Sequence, residues 1–122
     1  PMEVDLKPYL LTDGVYDNRL KTALADQLDY LCPAPIPEDI VDELNWLAAA
    51  VFRVTGALDV ARVDFRLDIN DNLKPYILEI NPLPGLSPGI SDLVIEAAAA
   101  GINHTELVNM ILFTALERYK MI

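Results

Sequence analysis

Residues 60–69 constrain the fold more tightly than any other stretch, because they alternate without a break. Val63, Phe65, Leu67 and Ile69 fall on one side, and Arg62, Asp64, Arg66 and Asp68 on the other. A period of two marks a strand with one apolar and one charged face. The turn-rich Asn70-Asp71-Asn72 follows, and then Tyr76, Leu78 and Ile80 interleave with Ile77, Glu79 and Asn81, so the two runs read as a β-hairpin. Opposed residues of an antiparallel pair share a face. Centring the turn on Asp71-Asn72 sets Val63 against Ile80, Phe65 against Leu78 and Leu67 against Tyr76. The same register places Asp64 opposite Glu79 and Arg62 opposite Asn81.

Two carboxylates directly opposed on a sheet repel, at a cost on the order of a few tenths to 1 kcal/mol when exposed and more when buried. Something must offset this. One reading is a solvated charge ladder in which Arg62 and Arg66 neutralise the acids. The other is a divalent cation held by Asp64, Glu79 and Asn81, since two carboxylates and an amide oxygen are hard ligands that suit magnesium. Spacing alone leaves both open.

The rest of the chain supplies helices. Leu20, Ala23, Leu24 and Leu28 recur at helical spacing after Tyr16. Pro37 followed by Glu38 and Asp39 is a helix entry, and Val41, Leu44, Leu47, Ala48, Val51 and Phe52 form one stripe that ends near Thr55 at Gly56. Trp46 lies off the stripe and is expected to pack on a neighbouring element. After the proline- and glycine-rich residues 82–89, one helix is predicted from about Ser91 to Ala100. Another opens on a capping box of Asn103 and Glu106 and turns Leu107, Met110, Ile111, Thr114 and Ala115 inward. His104 is expected to be a solvated residue of that helix's first turn, and Cys32 a small buried side chain. Strands and helices in this order predict an α+β unit, mainly antiparallel sheet packed with helices, with 122 residues making one core.

A formal net charge of -10 with only nine Lys and Arg argues against a nucleic-acid partner. The longest uncharged apolar run, Trp46 to Phe52, is too short to cross a bilayer, so no membrane partner is expected. The single cysteine leaves no internal disulfide, in keeping with a cytoplasmic protein.

Three stretches add a family resemblance: Ala61-Arg-Val-Asp-Phe65, Tyr76-Ile-Leu-Glu-Ile-Asn81 and Pro82-Leu-Pro-Gly-Leu-Ser87. With Tyr16-Asp17, Lys21 and Cys32-Pro33-Ala34 in matching order, the chain resembles the C-terminal half of ATP-grasp ligases, and most closely the D-alanine-D-alanine ligase branch. The resemblance implies the C-terminal subdomain of an ATP-grasp fold and an ATP-dependent carboxylate-amine ligase acting through an acyl phosphate. It implies that Asp64, Glu79 and Asn81 hold two Mg2+ or Mn2+ ions, with ATP as substrate. Lys21 would touch the phosphates, Leu78 would line the adenine, and Arg62 with the Gly85 backbone N–H would stabilise the tetrahedral intermediate. Ser91 would bind the carboxylate of a small amino-acid or peptide substrate, although helix capping is its other reading.

Two departures leave the substrates open. Thr22 follows Lys21 where that branch has an aromatic residue, and the loop from Gly85 to Ser91 is one residue longer. The glycine-rich loop subdomain and N-terminal domain of such an enzyme have no counterpart in residues 1–122. The chain is therefore expected to be a C-terminal portion, inactive alone, whose 52% hydrophobic content fits a face for the missing part of the same protein or for a homodimer. A non-catalytic module that binds nucleotide or a protein partner is the alternative.

Overall fold

The computed structural model describes residues 1–5 and 29–122, and these fall in two compact units, residues 1–35 and 36–122. In the first, β1 (Glu3–Asp5) pairs antiparallel with β2 (Asp29–Leu31), Glu3 facing Leu31 and Asp5 facing Asp29. The expected helix after Tyr16, with Lys21, lies outside the described residues. Cys32 is half-buried rather than buried, with its Sγ 4.0 Å from the Pro1 carbonyl oxygen.

The second unit holds α1 (Glu38–Val54), β3 (Arg62–Asp68), β4 (Lys74–Asn81), α2 (Asp92–Ala99) and α3 (His104–Arg118). The α+β class expected from the sequence is what is found, with two two-stranded antiparallel sheets and three helices among the described residues. Both predicted helix stops hold. Gly56 and Gly101 sit at positive φ, and beyond them the Ala57 and Ile102 N–H groups reach back to the Phe52 and Ala97 carbonyls. These are Schellman closures, for which glycine carries no Cβ penalty.

The α1 helix lies against β4 and buries Ile40 and Leu44. Trp46 departs from expectation, since it is 70% exposed. The helices α2 and α3 pack together through Val94, Ala97 and Leu107, flanked by Leu93, Ile102 and Ile111. The capping box at the start of α3 is present in both halves, with the Glu106 N–H donating to Asn103 and the Asn103 N–H donating to Glu106. Its inward stripe is narrower than predicted: Met110 is 54% exposed and Thr114 is also exposed, its hydroxyl donating to the Met110 carbonyl. Only the row through Leu107 and Ile111 meets α2, because an eight-residue partner helix covers little of a fifteen-residue one.

The hairpin register agrees with the sequence at its base and departs from it nearer the turn. Arg62 faces Asn81, Val63 faces Ile80 and Asp64 faces Glu79, but then Phe65 faces Ile77 and Leu67 faces Pro75. The predicted Phe65–Leu78 and Leu67–Tyr76 pairs are therefore corrected by a β-bulge. The turn has an odd number of residues between Asp68 and Lys74, with Asn72 and Leu73 at positive φ and Asp68 accepting the Asn70 N–H. The register set at the turn and the one set at the base differ by one residue. Leu78 absorbs the difference as the extra residue of the bulged strand.

Truncating Leu107 to Ala should cost about 3 kcal/mol, since it leaves a hole in the α2–α3 core. Met110→Ala should cost less than about 1 kcal/mol. Urea denaturation checks the pair, and equal losses would show that the narrow stripe is wrong.

Candidate active site

The charged face of the hairpin is built around Arg62. Its side chain is only 14% exposed, and three hydrogen bonds hold it. Nε donates to Asp64 Oδ1 at 2.7 Å and Nη2 to Asp64 Oδ2 at 2.9 Å, a bidentate grip of the kind a planar guanidinium favours. Nη1 donates to Asp92 Oδ2 at 2.9 Å. Glu79 stands opposite Asp64 and lies 3.7 Å from Nη2. Three carboxylates thus converge on one guanidinium, whose pKa is raised above its ordinary value, first by the hydrogen bonds to Asp64 and then by the negative charges around it.

Asn81 is two residues beyond Glu79 and faces Arg62 across the pair, so it shares their face. Its Oδ1 accepts the Leu83 N–H at 3.1 Å, which fixes the oxygen end of the amide. Among the described residues, no three or more His, Cys, Asp or Glu side chains are grouped to hold a metal by themselves. The donor set nevertheless fits a hard cation. A carboxylate offers about four lone-pair sites, and Arg62 uses one on each Asp64 oxygen.

The loop of residues 82–91 brings Gly85 and Ser91 together. A Cβ built on Gly85 would lie 2.6 Å from Ser91 Oγ and 3.4 Å from Ser91 Cβ, so a larger residue here would displace the Ser91 hydroxyl from its present position. Ser91 occupies the N-cap of α2, but its hydroxyl makes no cap bond to the helix. Instead its Oγ accepts the Ser87 N–H at 2.9 Å, which leaves the hydroxyl hydrogen to be donated. Leu78 sits at the bulge, 64% exposed, next to Glu79. Lys21 lies outside the described residues.

Two residues of this region carry no cue in the sequence. Asp92, 11% exposed, reaches across 30 positions to Arg62 and ties the first turn of α2 to β3. His104 is half-buried rather than solvated, and its Nε2 lies 2.8 Å from the Leu86 carbonyl oxygen. Only the tertiary fold brings either partner near. Charge and a short helix entry are the most that the sequence offers for Asp92.

The charged hairpin face, three carboxylates around one guanidinium, is thus flanked by the close-packed Gly85 turn and the start of α2. The comparisons then assign the chain: residues 4–113 match the family described as "D-ala D-ala ligase C-terminus", and the protein belongs to it. The D-alanine--D-alanine ligase of Pelotomaculum thermopropionicum is 35% identical over 96% of this chain and 36% of its own length. That of Rickettsia canadensis is 40% identical over 87% of this chain and 29% of its own length. The chain therefore spans about a third of the length of these relatives. The crystal structure of the Bacillus anthracis D-alanine--D-alanine ligase complexed with ATP superposes with a TM-score of 0.65 at 31% identity, covering 73% of this chain and 30% of that one. The ATP-grasp expectation for the fold is thus met.

Glu96, one turn beyond Asp92 on α2, is half-buried, and its carboxyl is pushed above the ordinary value of 4.5, first by burial and then by Asp92 and Asp64, with Arg62 acting in the opposite direction. A raised carboxyl favours the protonated folded state, so its stabilising contribution is complete below about 4.5 and is lost as pH rises through the folded value. Glu96→Gln should therefore be more stable than the unaltered protein at pH 7, and the gain should vanish well below pH 4.5. Urea midpoints at the two pH values check this, and a loss at pH 7 would contradict the assigned environment.

Proposed function

We propose that the full-length protein is an ATP-dependent carboxylate-amine ligase, and that this chain supplies its metal and acyl-transfer corner. The observation that carries the reading is the juxtaposition of Asp64 with Glu79, with Asn81 and Arg62 paired beside them and Gly85 beside Ser91. Family membership and the likeness to a ligase complexed with ATP support it.

Asp64, Glu79 and Asn81 would hold Mg2+ or Mn2+, two ions in all. Magnesium is commonly held by one or two carboxylates together with substrate phosphates. When bound, the ions offset the phosphate charge as the terminal phosphoryl of ATP moves to a substrate carboxylate. Lys21 would contact the phosphates, and exposed Leu78 would offer an apolar surface to the adenine.

The transfer converts the carboxylate to an acyl phosphate and releases ADP. An amine nitrogen then attacks the acyl carbon, negative charge collects on the carbonyl oxygen, and the C–O bond to phosphate breaks as the amine loses a proton. Arg62, held by its grip on Asp64 and Asp92, would donate to that oxygen, and the Gly85 N–H would provide a second donor. The Ser91 hydroxyl, which accepts from Ser87, would donate its hydrogen to the carboxylate of the amine substrate. D-alanine, the amino acid in the relatives' name, is the first substrate to test, in a cytoplasmic setting where ATP is available.

In the full-length protein, Glu79→Gln should reduce ATP turnover by at least about 100-fold, since it removes a charge from the metal ligands and leaves the strand intact. Asp68→Asn should leave turnover unchanged, because Asp68 lies at the turn end of the hairpin. Phosphate release with Mg-ATP and amino acids checks both, and normal turnover in Glu79→Gln would overturn the reading.

A further inference from the structure

The peptide unit joining Leu86 to Ser87 is held by side chains at both ends. Its carbonyl oxygen can only accept, so His104 Nε2, 2.8 Å away, carries the proton and donates it. On the other side of the same plane the Ser87 N–H donates to Ser91 Oγ at 2.9 Å. A planar peptide gripped at oxygen and nitrogen cannot turn about its flanking bonds without losing a contact.

The two gripping residues come from different helices. Ser91 precedes α2 and His104 opens α3, and these helices share the core of Val94, Ala97 and Leu107. The peptide is therefore referred to a rigid pair rather than to another loop. Gly85, one residue before Leu86, faces the same Ser91 side chain, which a Cβ at Gly85 would meet. Rotation of the Leu86–Ser87 peptide would break the Ser87–Ser91 hydrogen bond and disturb the packing of Ser91 beside Gly85.

We infer that His104 is a positioning residue for the acyl-transfer step: by pinning the Leu86 carbonyl it holds the Gly85 N–H and the Ser91 hydroxyl where the second substrate is bound and attacked. This rests on the ligase reading above and adds to it a residue outside the ligand-contacting set. His104 touches no substrate in this scheme. Its effect is transmitted through one peptide plane, and small displacements of a donor cost rate steeply.

The test uses the full-length protein with ATP and a panel of small amino acids, D-alanine first, reading phosphate release. H104F keeps a planar ring but has no donor, and H104Q restores an N–H at similar reach. H104F should lower kcat roughly 10- to 100-fold while KM for ATP stays within about twofold, and H104Q should recover most of the loss. Amide exchange at Leu107 in the same samples reports that the core remains folded. Full kcat in H104F, or loss in H104Q equal to that in H104F, overturns the role of His104 alone. Absence of phosphate release from the unaltered protein overturns the ligase reading and this role with it.

Discussion

The second unit depends on what Arg62 does with its guanidinium. Antiparallel pairing puts Asp64 and Glu79 side by side, and such a pair is unfavourable until a cation reaches it. Arg62 meets Asp64 with two parallel hydrogen bonds along its own strand and extends a third to Asp92. One side chain thus relieves the repulsion on the hairpin and anchors α2 to it. Losing it would leave largely buried carboxylates without their partner, which costs far more than an exposed ion pair contributes.

The geometry that follows is economical in its use of the backbone. Arg62 is fixed from two sides, by Asp64 and by Asp92, so in the proposed reaction it would need little reorganisation. The loop after β4 is fixed in a similar way, through Asn81 at its start, Ser91 at its end and His104 from α3. Helices and a paired strand therefore hold the proline- and glycine-rich segment in place.

Half of this was legible in the amino-acid order. The alternation around Asp64 and Glu79 made the base of the hairpin readable, because a one-residue slip would have turned every apolar side chain outward. The same logic failed beyond Asp64, since a bulge at Leu78 leaves no trace in a period-two pattern and follows from the odd turn. Helix ends at Gly56 and Gly101 were legible because φ sign is a local property. Met110, Trp46, Asp92 and His104 were not, because each depends on how far a partner element extends or on a partner many residues away.

The central claim is that the hairpin face of Asp64, Glu79 and Asn81 receives the divalent ion. Paramagnetic broadening by Mn2+ with a non-hydrolysable ATP analogue, followed by NMR on the full-length protein, tests it most directly. The side-chain amide of Asn81 and the backbone amides of Asp64 and Glu79 should broaden first, ahead of those in α3. Broadening that leaves β3 and β4 sharp and appears elsewhere would contradict the account.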